Sequence, residues 1–436
     1  MTNLTHGFRI EQEKCRGCLS CMRVCPTHAI RVKDGKARYK PDHCIDCGVC
    51  LTACPSNAIV ATTASVKDLS QFKFKVAVPS PVLFGQFPSG ITPSQVVDAL
   101  LSLGFDAVWD YGVETGLVTR AIRDYVDNWK GPFPLISISC PVVVRLVQVS
   151  YPRMAEQLLH VQLPREIAAR EAKRRYAEQL GLSPEEIKAI YITPCQAKTI
   201  SILEPAEGVE SFLDGAIGIA DVYNAIVGHA SLHKEEGGRA ERDIIRNSTF
   251  LRWPMSDGLS EVLSNHRHLH VTGLSNVVQV FDDIERGRLR NVEFLGAYNC
   301  WSGCTGGNLT VANVYVTLSK IASMIGKLPL MDSETEAEIE RRYPNEDFSL
   351  GRPIRPRPIG GSTGSLKERV RMVQEADAIL GTLPGLDCGL CGAPMCKELA
   401  KDISIGEGAR SECLFYSPNA LRQLQTRYIP PPKSSG

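Results

Sequence analysis

The stretch Cys300-Trp301-Ser302-Gly303-Cys304 decides the fold of the central part of this chain. Cysteines at such short spacing are typical of metal or cluster ligands in a reducing compartment. Two distant segments carry further cysteines, Ser139-Cys140-Pro141 and Thr193-Pro194-Cys195-Gln196-Ala197-Lys198. The sequence therefore predicts that these three segments together offer four thiols to one centre.

Each of these segments follows a predicted strand. Apolar runs predict strands over 133–138, 187–192 and 292–298, with helices between them. Such β–α alternation predicts parallel sheets covered by helices, and open sheets of this kind bind ligands at the carboxyl ends of their strands. We therefore expect a central α/β domain over residues 72–345, with the four cysteines at the carboxyl ends of strands.

Length and composition restrict the classes of protein. A chain of 436 residues is too long for one core and predicts a multidomain α/β protein. A formal charge of +1 gives no support for a nucleic-acid partner, and no apolar run is long enough to span a bilayer. The first residues lack a hydrophobic signal segment, so the expected location is cytoplasmic.

The cysteine count is the most informative number in the composition. The 16 cysteines fall into groups of eight, four and four along the chain. A secreted disulfide protein is disfavoured by the length and the missing signal segment. Four 4Fe-4S cubes would use all 16 thiols, so four cubes are the expected cofactors.

Residues 1–62 contain an internal repeat that predicts two of these cubes. The run Cys-x2-Cys-x2-Cys-x3-Cys-Pro begins at Cys15 and again at Cys44, 29 residues later. It resembles the two-cluster ferredoxins, in which the fourth cysteine of each run binds the other cube. The resemblance implies an α+β ferredoxin fold and these ligand sets: Cys15, Cys18, Cys21 and Cys54 for one cube; Cys44, Cys47, Cys50 and Cys25 for its partner.

A pair of zinc sites is the alternative for this segment, but zinc commonly uses separated two-cysteine pairs. Three closely spaced thiols and the Cys-Pro ending favour cubes. Around the cubes, the expected core residues are Val24, Ile30, Val49 and Ile59.

The C-terminal part of the sequence predicts a third cluster domain. Residues 346–365 are expected to be a linker, residues 366–428 a small, mostly helical 4Fe-4S domain, and residues 429–436 a tail. Ser365 and Glu368 form a capping box for the first helix. The expected ligands are Cys388, Cys391, Cys396 and Cys413. Glycines 389 and 392 would let the backbone pass close to a cube, and zinc is again the alternative.

Three alternating histidines, His266, His268 and His270, suggest a metal triad on one face of a strand. We prefer a partly exposed strand, because successive residues on one face diverge too far to share one ion. The basic run in the predicted helix over 165–181 is interpreted in the same way, as a solvated face.

Residues 72–345 resemble the catalytic domain of iron–iron hydrogenases, on the three cysteine motifs and on Leu103-Gly104-Phe105-Asp106 and the stretch from Leu180 to Ile187. The resemblance implies that a cubane is held by Cys140, Cys195, Cys300 and Cys304. It also implies that Cys304 bridges to a two-iron unit with carbonyl and cyanide ligands, and that Lys198 hydrogen-bonds a cyanide. The order of the cluster domains resembles the sensory-type branches of this anaerobic family.

The sequence departs from the family pattern at groups that serve hydrogen chemistry. Ser139 stands where the family has a proton-carrying thiol, and a serine hydroxyl is far less acidic than a thiol. Ser201 replaces a glutamate, Tyr298 a methionine and Gly296 another glutamate. Ser139 would therefore be a poor proton relay, while every cubane ligand is retained.

Two functions from different classes follow. The first is a hydrogenase-like oxidoreductase with slow or sensory hydrogen chemistry, in which electrons pass through four 4Fe-4S cubes. The second is an electron-transfer subunit whose central domain holds only a cube and has no hydrogenase activity. In both, the expected partners are redox proteins, within a multi-subunit complex. A purely structural cluster scaffold is the third alternative, and four redox centres argue against it.

Overall fold

The computed structural model describes residues 6–206, 210–232, 245–260, 262–357 and 366–416. The chain forms two compact units. The first contains residues 62–356, preceded by the residues before Phe8. The second combines residues 8–61 with the described residues from Arg357 onward, so the cysteine-rich segments near the two ends of the sequence belong to one unit.

The first segment of the second unit contains two small antiparallel ribbons and two short helices. Its elements are β1 (Phe8–Ile10), α1 (Ser20–Arg23), β2 (Ile30–Lys33), β3 (Lys36–Tyr39), α2 (Val49–Ala53) and β4 (Ile59–Ala61). Strand β1 pairs with β4, and β2 pairs with β3. Both helices begin after a residue with positive φ, so each copy of the repeat makes the same turn around its cysteines.

The core of this segment differs from the expectation at two positions, because Val49 is only partly buried and Val24 lies at the surface. Ile30 and Ile59 are buried as expected, but Val24 is 39% exposed. The reason is that α1 ends at Arg23, which leaves Val24 beyond the helix, while Met22 points inward and is fully buried.

The first unit contains two parallel sheets. Its strands are β5 (Phe74–Pro79), β6 (Ala107–Val108), β7 (Leu135–Ile136), β8 (Ile187–Thr193), β9 (Gly215–Gly218), β10 (His268–Thr272) and β11 (Phe294–Tyr298). One sheet has the order β6-β5-β8-β9 and the other β10-β11-β7, and every pairing is parallel. The predicted α/β class with parallel sheets is therefore confirmed.

Helices alternate with these strands. They are α3 (Pro93–Ser102), α4 (Gly112–Asn128), α5 (Pro141–Ser150), α6 (Pro164–Leu180), α7 (Gln196–Leu203), α8 (Ile219–Leu232), α9 (Ser248–Arg252), α10 (Leu274–Glu285), α11 (Val314–Ile325) and α12 (Ser333–Arg342). Strands β5 and β8 are buried on both faces, as parallel strands between helix layers are. The apolar core around them fixes the carboxyl ends of the strands, where the cysteine loops begin.

The last described segment of the second unit is helical. Helix α13 (Leu366–Leu380) packs against α14 (Cys396–Ser404), and their contact surface includes Leu383, Leu399 and the buried Cys413. The predicted capping residue Ser365 and the predicted tail lie outside the described residues. In the part of the chain that the structure describes, no helix combines the length and apolarity that a membrane crossing needs.

Candidate functional site

Two of the central cysteines stand at the beginnings of helices. Cys140 is the N-cap of α5, and Pro141 takes the first helical position, where its fixed φ and missing N–H cost nothing. Cys195 is the N-cap of α7, two residues after β8 ends at Thr193. The positive end of a helix dipole favours a thiolate, so both positions suit cluster ligands.

The loop that carries Cys300 and Cys304 lies close to neighbouring backbone, and glycines make this close approach possible. After β11 ends at Tyr298, Gly303 adopts φ +81, and a Cβ built on it would lie 2.4 Å from Pro254 O. A Cβ on Gly307 would lie 2.3 Å from Pro194 O. Only glycine allows these close backbone approaches, and the second one brings the loop of Cys304 against the loop of Cys195.

The four central thiols lie close enough to influence one another. Burial raises the pKa of Cys140 to about 11, and the neighbouring Cys304 and Cys195 raise it further. Burial also raises the pKa of Cys300, with contributions from Cys195, Cys140 and Cys304. The structure therefore brings the four cysteines of the three motifs together, and their role as cubane ligands stays a prediction.

Hydrogen-bond donors surround these sulfurs. Lys198 Nζ donates to Cys304 Sγ over 2.9 Å, and Asn299 Nδ2 donates to Cys300 Sγ over 3.4 Å. Backbone N–H groups of Asn299 and Val143 lower the pKa of Cys140 against the effect of burial. Such donors stabilise negative charge on sulfur, which is what a thiolate-bound cube requires.

Lys198 is buried yet keeps its charge. Burial works against the ammonium, but Cys304, Tyr191 and Cys195 raise the pKa of Lys198 above its ordinary value. Only 5% of the side chain is exposed. The ammonium of Lys198 thus donates to the sulfur of Cys304 in a site with little water.

A pocket opens beside Cys304, with about 390 Å³ of space between atoms, including solvent at its mouth. Its polar lining comes from Ser80, Ser139, Arg165 and Lys198. The hydroxyl of Ser80 is buried and has no hydrogen-bond partner among the described residues. A buried orphan hydroxyl and two buried cations fit a bound group with acceptor or anionic atoms.

Ser139 lies in this pocket, as the motif comparison predicts. Its Oγ accepts a hydrogen bond from Ser137 Oγ over 3.1 Å. Ser201 lies outside the pocket lining and accepts from Arg165 over 3.0 Å, while its own hydroxyl donates to Lys198 O. The hydroxyl of Ser139 thus lies at the pocket wall.

Several pocket residues were missed by the sequence analysis. Arg165 was expected on a solvated face, but its side chain is buried between Glu166 and Ser201. The correction follows from helix geometry, because Arg165 lies in the first turn of α6 and points to the sheet. Tyr111 and Tyr191 also line the pocket and are hydrogen-bonded to each other. Tyr111 lies between the end of β6 and the start of α4, so its place after a strand was the available signal.

The eight cysteines of the ferredoxin-like repeat lie in two neighbouring groups, called nests below, and their assignment to two cubes stays a prediction. Burial raises the pKa of Cys21 to about 11, and Cys15, Cys18 and Cys54 raise it further. Burial likewise raises the pKa of Cys47, and its neighbours Cys25 and Cys50 raise it further. Burial also raises the pKa of Cys44, with contributions from Cys47 and Cys25.

Equivalent backbone groups serve the two nests. Ala29 N donates to Cys25 Sγ and Ala58 N donates to Cys54 Sγ, both over 3.2 Å. Because Ala29 and Ala58 hold the same place in the two copies, the repeat in sequence is also a repeat in geometry.

The C-terminal cysteines form a further nest. Burial raises the pKa of Cys391 to about 11, and the neighbouring Cys413 and Cys388 raise it further. Cys396, at the start of α14, packs in the same apolar cluster as Cys413.

The spacing of the thiols favours cubes over zinc. Four sulfurs on one tetrahedral zinc ion lie about 3.8 Å apart, since the Zn–S distance is about 2.3 Å. Among the described residues, no three cysteine sulfurs lie within 4.8 Å of one another. Four thiolates around a cube are compatible with this wider spacing, and the binding of four cubes stays a prediction.

The three histidines do not converge. His266 Nε2 bonds Asp127 over 2.8 Å, and His270 Nε2 bonds Ser260 over 2.9 Å. His268 bonds backbone carbonyls through Nδ1. These separate partners support the interpretation of this stretch as ordinary strand structure.

Family models match each of the cysteine-rich segments. The "Iron only hydrogenase large subunit, C-terminal domain" matches residues 73–227. Residues 73–227 are therefore similar to the catalytic part of iron–iron hydrogenases. A "4Fe-4S dicluster domain" matches residues 8–55, and an Fe-S cluster family matches residues 383–415. The predicted family resemblance and the ferredoxin-type domain are thereby confirmed.

Curated relatives are hydrogenases that match this chain over about half of their own length. The chain is 29% identical over 219 residues to the periplasmic Fe hydrogenase large subunit of Nitratidesulfovibrio vulgaris, covering 46% of this chain and 52% of the relative. It is 22% identical over 256 residues to iron hydrogenase 1 of Clostridium pasteurianum, covering 49% and 44%. The chain thus spans about half the length of these hydrogenases.

Solved hydrogenases give a structural comparison. A variant of FeFe-hydrogenase HydA1 from Chlamydomonas reinhardtii aligns with 17% identity and a TM-score of 0.47, over 66% of this chain and 94% of that one.

Proposed function

We propose that the chain is a hydrogenase-like iron–sulfur oxidoreductase that turns hydrogen over slowly or senses it, with electrons relayed through four 4Fe-4S cubes. The observation that carries the proposal is the 2.9 Å contact between Lys198 Nζ and Cys304 Sγ at a buried pocket. It supports a retained frame for a two-iron unit beside the central cube. Such a unit, when bound, would supply the metal at which hydrogen is made or split.

The residues of the chain have distinct tasks in this proposal. The ammonium of Lys198 balances negative charge at Cys304 and offers N–H donors to the pocket. The rings of Tyr111 and Tyr191 exclude water, which strengthens every charge interaction in the pocket. The hydroxyl of Ser139 holds its proton too firmly for efficient exchange at neutral pH, so slow turnover is expected.

Infrared spectroscopy of anaerobically matured protein tests the two-iron unit. Intrinsic bands in the carbonyl and cyanide region are expected, together with weak hydrogen uptake and evolution. Iron analysis adds the number of cubes, since four cubes require about 16 iron atoms per chain. Vigorous hydrogen evolution by the unaltered protein would contradict the role given to Ser139.

A second candidate is an electron-transfer subunit whose central site holds only a cube. It is favoured by the aromatic lining of the same pocket, to which Tyr111, Tyr191 and Trp253 contribute. Tyr298 is also buried, where the family has a methionine. Full iron loading without diatomic bands is the result expected for this candidate, and bands exclude it.

A redox protein partner in a multi-subunit complex belongs to the same proposal. One relative, 22% identical over 200 residues, is named as the HndD subunit of an NADP-reducing hydrogenase from Solidesulfovibrio fructosivorans. We expect an anaerobic, cytoplasmic setting and a partner that carries any nicotinamide or flavin site. Anaerobic affinity purification followed by native mass spectrometry should recover a stoichiometric redox subunit, and a monomer alone would contradict the expectation.

A further inference from the structure

A backbone hydrogen bond joins the two cysteine-rich segments of the second unit. Val32 N, on β2, donates to Gly392 O over 2.9 Å. Gly392 has φ +85, and a Cβ built on it would lie 1.9 Å from Val32 O. Only glycine therefore lets the loop after Cys391 lie against this strand. The glycine that the sequence suggests for close approach to a cube instead meets the ferredoxin-like segment.

A second contact links residues next to candidate ligands of two different nests. Met22 follows Cys21 and is fully buried. Its terminal carbon lies 3.0 Å from the place of a Cβ on Gly389, which follows Cys388. Leu390, next in the chain, packs against the core of the ferredoxin-like segment. The side chain of Met22 thus fills the space between the backbone next to Cys21 and the backbone next to Cys388.

Buried charges hold α14 on the same strand. Arg31, on β2, donates to the two carboxylate oxygens of Asp402 over 2.5 and 3.1 Å, and to Glu398 over 3.2 Å. Their exposed fractions are only 5% for Arg31, 2% for Asp402 and 4% for Glu398. Removing Arg31 would take the buried cation away from both carboxylates and leave Asp402 with Lys40 and Glu398 with Lys401, whose side chains are more exposed. The docked arrangement therefore depends on Arg31.

We propose that the C-terminal nest is a third redox centre of the ferredoxin-like segment, docked so that its cube exchanges single electrons directly with the cubes there. One cube loses an electron and another gains it, and no bond or proton is transferred. The inference rests on the proposed function only in requiring that the nests bind cubes. It makes the second unit a relay of three connected centres.

Electron paramagnetic resonance of the reduced full chain tests the docking. The signal of the C-terminal cube should be broadened by spin coupling to the cubes of the ferredoxin-like segment. Arg31→Gln should abolish this broadening while the iron content stays unchanged. The matched control is Arg38→Gln, because this side chain, on neighbouring β3, is 67% exposed and should leave the coupling intact.

A pair of glycine variants provides an independent measurement. Gly392→Ala introduces the clash with Val32 and should also abolish the coupling. Gly406→Ala is the control, because Gly406 has φ +77 but nothing within 4 Å of its Cβ position. Absence of iron would overturn the proposed function and this inference together. An iron-loaded wild type with an uncoupled C-terminal signal, or coupling that survives both Arg31→Gln and Gly392→Ala, would overturn this inference alone.

Discussion

Replacing Ser139 by cysteine should accelerate hydrogen turnover. Ser139 lines the pocket beside Cys304, where the family has its proton-carrying thiol. A thiol has a pKa of about 8.5, so at neutral pH it can both hold and release a proton, whereas a serine hydroxyl cannot. The sulfur is only slightly larger than the oxygen it replaces, and the partly open pocket lies beside it.

The size of the gain follows from general acid–base catalysis. A positioned group of suitable pKa contributes about 10²–10⁴-fold, or roughly 3–5 kcal/mol in the barrier. Burial raises the pKa of the neighbouring Cys140, and a thiol at position 139, 8% exposed as serine, will experience the same effect. We therefore expect about 10²-fold, the lower end of that range.

The assay is hydrogen evolution by anaerobically matured Ser139→Cys protein with a strong artificial reductant, after infrared bands have shown equal loading of both proteins. Ser137→Cys is the matched control, because Ser137 is buried next to Ser139 but does not line the pocket. Equal loading with less than a twofold gain for Ser139→Cys would refute proton transfer as the limiting step.

Three other predictions concern charges in the first unit. Lys198→Met removes a charge-assisted hydrogen bond of about 1.5–3 kcal/mol. The reduction potential of the central cube, measured by redox titration, should therefore fall by roughly 60–130 mV. Lys198→Arg keeps the charge and should recover part of this loss of potential. Burial raises the pKa of Asp110 to about 7. Protonation of Asp110 therefore stabilises the folded state fully below about pH 4, and this stabilisation is lost as the pH rises through about 7. We expect Asp110→Asn to raise the midpoint of urea unfolding more at pH 8 than at pH 5. Arg342→Met leaves the buried Glu114 unpaired and should lower the free energy of unfolding by about 3–5 kcal/mol. The control is Arg341→Met, at an exposed site on the same helix, which should change the free energy of unfolding by less than about 0.5 kcal/mol.

The prediction of cubes rests on cysteine spacing, because a cube is wrapped locally. Three thiols within seven residues must come from one turn, and the crossed fourth thiol follows from the repeat. The strand ends before Cys195 and Cys300 were also predictable, because continuous apolar runs mark buried parallel strands. The domain limits drawn from the sequence stay predictions.

Docking between distant segments could not be predicted in this way. Arg31 and Asp402 are separated by 371 positions, and neither stands in a pattern that marks a buried charge. Gly392 shows the same difficulty, because its sequence context points to Cys391 while its steric constraint comes from Val32. Long-range contacts of this kind depend on which surfaces meet, and local spacing carries no information on that.

The departures from the family pattern around α6 form one packed group. Ser201 stands where the family has a glutamate, and its hydroxyl accepts from Arg165, which also binds Glu166. Arg165 reaches the pocket of Ser139 and also lines a second cavity of about 460 Å³ that includes Ser201. A glutamate at 201 would meet the guanidinium directly and form an ion pair, so it would not be a free carboxylate for proton transfer. Restoring the glutamate at position 201 alone therefore would not restore the family arrangement, because Arg165 lies beside it. The side chain of Ser139 has a simpler environment, since its hydroxyl is bonded to Ser137, two positions away in the chain.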